Sequence, residues 1–234
     1  MTRAALSVMV LALLPAAPSA VEAKRMCFQG PLPPQVISGA RAKIAGSGGV
    51  IVASGAELPD WRFRDLNRVI RPRVVTLAPG LAIYHPPPLA GTAVVLEDTG
   101  HGEIARTERA LTIEPPPGAP DVARITSTEQ TTARRIVDAQ LNTPTPEHAI
   151  IVVVSKVVST LDGTSIVPLT WASVPGPSPS SVRLWYPPGG CDSVIERSME
   201  PRAGDRVVLT WVDDAGRVSE PSKPLVIAGG SKGK

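Results

Sequence analysis

Aromatic side chains are scarce in this chain of 234 residues, which contains four Trp, two Tyr and two Phe. Carbohydrate- and peptide-binding sites usually offer aromatic rings for stacking, so this scarcity argues against such a site. The three His and two Cys do not occur at the short spacings that metal-binding motifs use. Phosphate-binding loops and dinucleotide fingerprints are also missing from the sequence. We therefore predict a protein that is not an enzyme and that has no catalytic, cofactor-binding or metal-binding residues.

An excess of charge of one sign is lacking too, because 24 Lys and Arg are balanced by 21 Asp and Glu, giving a net charge of +3. This excess is too small to indicate a nucleic-acid partner. The basic residues concentrate locally at one place, which comprises Arg62, Arg64, Arg68, Arg71 and Arg73. Their spacing favours a solvated strand face and turn over an anion-binding patch.

The N-terminus has the three-part layout of a secretory signal peptide: the basic Arg3, an apolar run over residues 4–14, and small residues up to Ala23. We predict cleavage after Ala23, so that residues 1–23 form the signal peptide, with cleavage after Ala20 as the alternative. The apolar run is shorter than the roughly 20 residues that a membrane-spanning helix needs. We therefore expect a mature chain that has no transmembrane segment and is secreted or periplasmic.

Both cysteines, Cys27 and Cys191, belong to the predicted mature chain. In an oxidising compartment an even pair usually forms a disulfide bond. The loop closed by a Cys27–Cys191 bond is long, and loops of that length gain on the order of 4–5 kcal/mol in chain-entropy estimates. We predict this disulfide, and two separate free thiols are the alternative.

Proline and glycine are abundant, with 26 Pro and 20 Gly. Because these residues interrupt helices and favour turns, the sequence predicts many short strands and few long helices. One stretch also occurs twice: residues 88–96 read PLAGTAVVL and residues 201–209 read PRAGDRVVL. Successive strand side chains point to opposite faces. In the second copy Val207, Leu209 and Trp211 therefore share one face, and Val94 and Leu96 share the matching face in the first.

This duplication predicts an all-β protein of two tandem antiparallel β-sandwich domains, over residues 24–114 and 121–228. Residues 115–120 are rich in proline and form the predicted semi-rigid linker, and residues 229–234 form a disordered tail. Residues 149–158 are rich in Ile and Val and predict a central strand that is buried on both faces. Residues 161–164 read LDGT, which predicts a two-residue hairpin turn.

The end of the second copy resembles a known architecture. After the repeated strand, residues 214–222 read DAGRVSEPS. The two segments together resemble the last two strands of Ig-like and fibronectin type III-like modules in exported bacterial proteins. The Cys–Trp–Cys spacing of true immunoglobulin domains is absent, so the likeness concerns the architecture. The resemblance implies a spacer, an adhesion unit or part of a surface assembly.

Two kinds of chemistry stay open as alternatives. Ser47 lies in the sequence AGSGG, a variant of the nucleophile elbow, and with a distant His it would make a secreted serine hydrolase. A flexible Gly/Ser turn is the simpler interpretation. Asp98, Asp213 and Asp214 lie in corresponding turns, and a Ca²⁺-stabilised adhesion module would place its ion there. Turn capping by these side chains is again simpler.

Trp185 and Tyr186, beside two prolines, form a candidate partner patch, and their packing against the Pro-rich loop is the alternative. Taken together, the sequence predicts an exported, non-enzymatic protein with a binding, spacer or assembly role at the cell envelope. Its expected partner is a protein or another envelope component.

Overall fold

A computed structural model describes residues 33–37, 43–44, 48–54, 58–65, 68–86, 93–98, 102–109, 115–131, 134–174, 181–186 and 201–230. The predicted signal peptide, both cysteines and Ser47 lie outside the described residues. The chain from Pro31 to Lys234 forms one compact unit. No helix that is long and apolar enough to cross a membrane occurs among the residues described.

All regular structure in the described residues is β-strand. The first strands are β1 (Gln35–Val36), β2 (Lys43–Ile44), β3 (Val50–Ala53), β4 (Trp61–Asp65), β5 (Arg68–Ile70), β6 (Arg73–Ala78), β7 (Leu81–His85), β8 (Ala93–Asp98) and β9 (Gly102–Arg109). The remaining strands are β10 (Val122–Thr131), β11 (Arg134–Leu141), β12 (Ala149–Thr160), β13 (Gly163–Ser173), β14 (Ser181–Tyr186), β15 (Arg206–Asp213), β16 (Leu225–Val226) and β17 (Ala228–Gly229). The predicted all-β class is confirmed.

The strands form four sheets, numbered here by the order in which they stack. Sheet 1 has the order β2-β9-β8-β4-β5, and sheet 2 the order β1-β3-β7-β6. Sheet 3 has the order β13-β12-β15-β16, and sheet 4 the order β14-β11-β10-β17. Strand pairs are antiparallel except β2 with β9 and β10 with β17, which are parallel.

Two hydrophobic clusters each lie between a pair of these sheets. The first cluster joins sheets 1 and 2 through residues such as Phe63 and Tyr84. The second cluster joins sheets 3 and 4, and it contains Val207, Leu209 and Trp211. The face predicted for these three residues is therefore confirmed. Leu96, in the first copy of the repeat, is fully buried in the first cluster.

A third cluster, called the junction cluster here, lies between sheets 2 and 3. Its buried members are Ile51, Ala78, Leu81 and Ile83 from sheet 2 and Ile151, Val153 and Val212 from sheet 3. Sheets 2 and 3 are thus covered on both faces, and strand alternation explains how: Val152 faces the second cluster while Ile151 and Val153 face the junction cluster. The prediction that residues 149–158 form a doubly buried central strand is confirmed for the first part of β12, where residues 151–155 are buried, and it is wrong for residues 156–158, which are only partly buried. The boundaries of two separate sandwich domains stay a prediction.

The predicted hairpin turn is present, but one residue earlier than the Asp-Gly pattern indicates. Thr160 pairs with Gly163, so Leu161 and Asp162 form the two-residue loop. Gly163 then takes a φ of 133°, a conformation that glycine adopts without a Cβ penalty. The Thr160 hydroxyl donates to the Gly163 carbonyl at 3.1 Å and closes the turn.

Candidate functional site

The junction between sheets 2 and 3 is held by apolar contact and by polar bonds at its rim. Every buried member of the junction cluster is at most 3 % exposed. Burial of one Val, Leu or Ile side chain stabilises by roughly 1.5–3 kcal/mol relative to leaving it exposed. At the rim, the Trp171 indole Nε1 donates to the Pro79 carbonyl at 3.2 Å, from β13 to the turn between β6 and β7. Trp171 therefore lies partly buried at the edge of the junction cluster.

The turn after β15 contacts the first half of the chain directly. Gly216 has a φ of 72°, and its Cα lies against the backbone of Gly49, immediately before β3. A Cβ on Gly216 would be only 2.6 Å from the Gly49 amide nitrogen. Because Gly216 has no Cβ, its backbone approaches that of Gly49 more closely than any other residue at this position would allow.

A buried ion pair shapes this turn. Asp213 is 1 % exposed, and its Oδ2 accepts from Arg217 Nε at 2.6 Å. Its Oδ1 accepts from the backbone N–H groups of Ala215 at 3.1 Å and Arg217 at 2.8 Å. Arg217 Nη1 also donates to the Pro115 carbonyl at 2.9 Å, which ties the proline-rich segment to the turn. The carboxylate is thus engaged as a turn cap.

Two serines complete the hydrogen bonding of β15 where the chain turns back. Trp211 and Ser219 exchange two bonds, since Trp211 N–H donates to the Ser219 hydroxyl at 2.9 Å and Ser219 N–H donates to the Trp211 carbonyl at 2.9 Å. Leu209 and Ser222 repeat the pattern at 2.9 and 2.8 Å. The hydroxyls replace strand carbonyls, so a segment that contains Pro221 still satisfies the backbone of β15.

The far end of the β12–β13 hairpin is exposed regular structure. β12 pairs with β15 only as far as Lys156, whose partner on β13 is Val167, so residues 157–166 extend beyond β15 as a two-stranded ribbon. We call these residues the projecting hairpin. Leu161 at its tip is fully exposed, and Ile166 is 50 % exposed. Asp162 is the one charged residue within residues 157–166.

The residues predicted to form sites are placed as follows. Trp185 and Tyr186 end β14, where they pair with Ile136 and Arg135 of β11, and only their backbone is described. The nucleophile-elbow pattern at Ser47 needs a following helix. Ser47 itself lies outside the described residues, and the regular element that follows it is the strand β3, which begins at Val50.

The basic concentration lies on strands and turns of sheets 1 and 2. Arg62 pairs with Asp60 at 3.1 Å, and Arg64 pairs with Glu97 at 2.5 Å. These pairings agree with the predicted solvated strand face. No group of three or more His, Cys, Asp or Glu that could hold a metal ion occurs in the described ranges.

His85 and Tyr84 are the titratable groups at the end of β7 whose environment is altered. Burial lowers the pKa of His85, the nearby Arg73 lowers it further, and the bond of His85 Nδ1 with the Gly48 carbonyl at 3.0 Å opposes this. Burial, with a contribution from Asp60, raises the pKa of Tyr84 to about 12. The Tyr84 hydroxyl donates to the Pro59 carbonyl at 2.7 Å, which is a structural role.

Sequence patterns did not reveal the junction cluster or the projecting hairpin. The apolar character of both faces of residues 149–158 was a signal for a second covered face, but it did not identify the sheet that covers it. The local sequence does not indicate how far the hairpin extends beyond β15, because the tertiary fold determines which strands pair and over what length.

No protein-family model and no curated protein matches this sequence. Among solved structures, the chain is similar to domains A168–A170 from titin, with 10 % sequence identity and a TM-score of 0.22. The alignment covers 85 % of this chain and 67 % of that chain. A likeness at this TM-score carries no argument about fold or function.

Proposed function

We propose that this is an exported, non-enzymatic protein of two Ig-like modules that serves as a rigid structural or binding unit at the cell envelope. The projecting hairpin is the observation that carries the proposal, because it places an apolar tip, Leu161, in full contact with solvent. Contiguous exposed apolar surface marks interaction sites, and Ile166, which is 50 % exposed, adds to the apolar surface of the same hairpin. In this proposal the partner is a protein of the envelope.

The junction cluster supports the structural part of the proposal. Interfaces between domains in one chain are often polar and allow motion. Here seven apolar residues are buried between sheets 2 and 3, and Gly216 lies against Gly49. A contact of this kind holds the hairpin at a defined position relative to sheets 1 and 2, as a spacer or assembly unit requires.

Export rests on the N-terminal pattern of residues 1–23. The hydrolase alternative lacks comparable support, because a strand follows the glycines after Ser47 where an elbow requires a helix. The Ca²⁺ alternative is weakened by the two backbone N–H groups and the Arg217 side chain that already bond to Asp213.

The test is affinity capture from an envelope fraction with the full chain as bait, in wild-type form and as Leu161→Asp. The matched control is Val226→Asp, since Val226 is 60 % exposed on β16, at the opposite edge of the same sheet. We expect Leu161→Asp to lose a captured envelope protein that wild type and the control retain. Equal capture by all three baits would contradict the proposed role of the hairpin.

A further inference from the structure

The edges of the four sheets are protected in two ways, with one exception. Exposed strand edges invite pairing with other chains, and proteins blunt them with short strands or charged side chains. Strands β1, β2, β16 and β17 are edge strands of two residues each. The edge strands β5, β6 and β14 carry Arg68, Arg73 and Arg183.

β13 is the exception among the described edge strands. It runs for 11 residues at the edge of sheet 3 and contains no charged residue. Its protection is Pro168, which lacks an N–H group and lies beside a β-bulge at Val154 and Ser155. Residues 163–167 lie between Pro168 and the hairpin turn, so this part of the edge has neither a charge nor a proline.

We propose that residues 163–167 of β13 pair with the same residues of a second copy of this chain, antiparallel and about a two-fold axis at Ser165. This inference rests on the proposed function, because it names the partner of the projecting hairpin. The axis places Thr164 opposite the partner's Ile166 and Gly163 opposite the partner's Val167. Pro168 then falls just outside the ladder, so no backbone bond is lost to it.

The absence of charge on this segment is what pairing with a second copy requires. At the two-fold axis Ser165 meets Ser165 of the other copy, so a charge at this position would face its own sign. Residues 163–167 read GTSIV and carry no charge. Pairing would also cover Ile166, which is half exposed and shares a face with its cross-strand neighbour Val157.

The expected association is weak and depends on concentration. Five residue pairs bury less surface than the roughly 1,200–2,000 Å² of standard stable interfaces. The result is a ribbon of four strands, β12-β13 from one copy and β13-β12 from the other. Because the pairing is antiparallel, the Leu161 side chains of the two copies lie at opposite ends of this ribbon.

Sedimentation velocity of the full chain over a range of concentrations tests this inference. Wild type should sediment faster as concentration rises. Ser165→Lys and Ser165→Glu should each stay monomeric, because like charges meet at the axis, and their equimolar mixture should associate again. Val226→Lys is the control that introduces a charge at the opposite edge of the same sheet.

A wild-type chain that stays monomeric at every concentration would overturn the inference. Association of Ser165→Lys at the wild-type level, or a mixture that stays monomeric, would overturn it as well. The two proposals can fail separately. A monomeric chain that still captures an envelope protein through Leu161 would keep the proposed function and remove only the second copy as a partner.

Discussion

The contact between Gly216 and Gly49 predicts that Gly216→Ala destabilises the whole compact unit. Gly216 has a φ of 72°, and an alanine in this region places its Cβ against the following carbonyl oxygen at a cost of about 1–2 kcal/mol. The new Cβ also meets the Gly49 backbone, whose nitrogen is 2.6 Å away. Backbone cannot rotate aside as a flexible side chain can.

The magnitude follows from adding the two costs. Forcing an extra carbon into a filled site typically costs about 1–3 kcal/mol. Together with the conformational cost, Gly216→Ala should lose about 2–5 kcal/mol of unfolding free energy. This is a large share of the roughly 5–15 kcal/mol by which most domains are stable.

Gly204→Ala is the matched control. Gly204 has a φ of 92°, and a Cβ there has nothing within 4 Å. It therefore meets only the conformational cost of about 1–2 kcal/mol. Urea unfolding followed by far-UV circular dichroism measures both variants against wild type, and the difference between them isolates the junction contact.

Equal losses in the two variants would refute the reasoning, because the clash with Gly49 would then add nothing. A second outcome is also informative. If Gly216→Ala unfolds in two separate transitions, sheets 1 and 2 unfold independently of sheets 3 and 4 once the junction is weakened, and the boundaries predicted for two domains gain support.

Three further changes have defined outcomes. Thr170→Val should raise the free energy of unfolding by about 1–2 kcal/mol, because the Thr170 hydroxyl is buried without a partner among the described residues. The urea midpoint should rise with it, and an unchanged or lower midpoint would count against this. Ser222→Ala should cost about 1–3 kcal/mol, because Leu209 N–H loses its acceptor, and protection of that amide in hydrogen exchange should fall. Because the folded state lowers the pKa of His85 below 6.5, the unfolded chain binds more protons just below pH 6.5, so stability should fall on acidification there. His85→Gln should flatten this dependence in urea titrations at several pH values, and the same slope in the variant and in wild type would contradict it.

Local chemistry was sufficient to predict much of the fold. Alternation placed Val207, Leu209 and Trp211 on one face, and cluster membership confirms it. The Ile- and Val-rich run at 149–158 predicted β12, although the strand extends to Thr160. The Asp-Gly signal predicted the hairpin, but the register is shifted by one residue because Leu161 and Asp162 form the loop.

The candidate site was less predictable. Trp185 and Tyr186 were chosen for their residue type, and their role as a partner patch stays a prediction, as does the disulfide between Cys27 and Cys191. The projecting hairpin has no distinctive composition of its own. It is exposed because β15 pairs with β12 only up to Lys156, which is a relation between segments about fifty residues apart in sequence.

The sequence by itself determined that the chain is built from short strands, because its prolines and glycines interrupt helices and its apolar residues recur at every second position. It also determined which side chains share a face. The tertiary structure alone decided what covers each face, since the apolar runs of β3 and β12 predict cover on both faces but do not identify the sheet that provides it. Ile51 and Ile151 lie in one cluster because sheets 2 and 3 stack, and the uncharged edge of β13 is open because no described strand pairs beyond it.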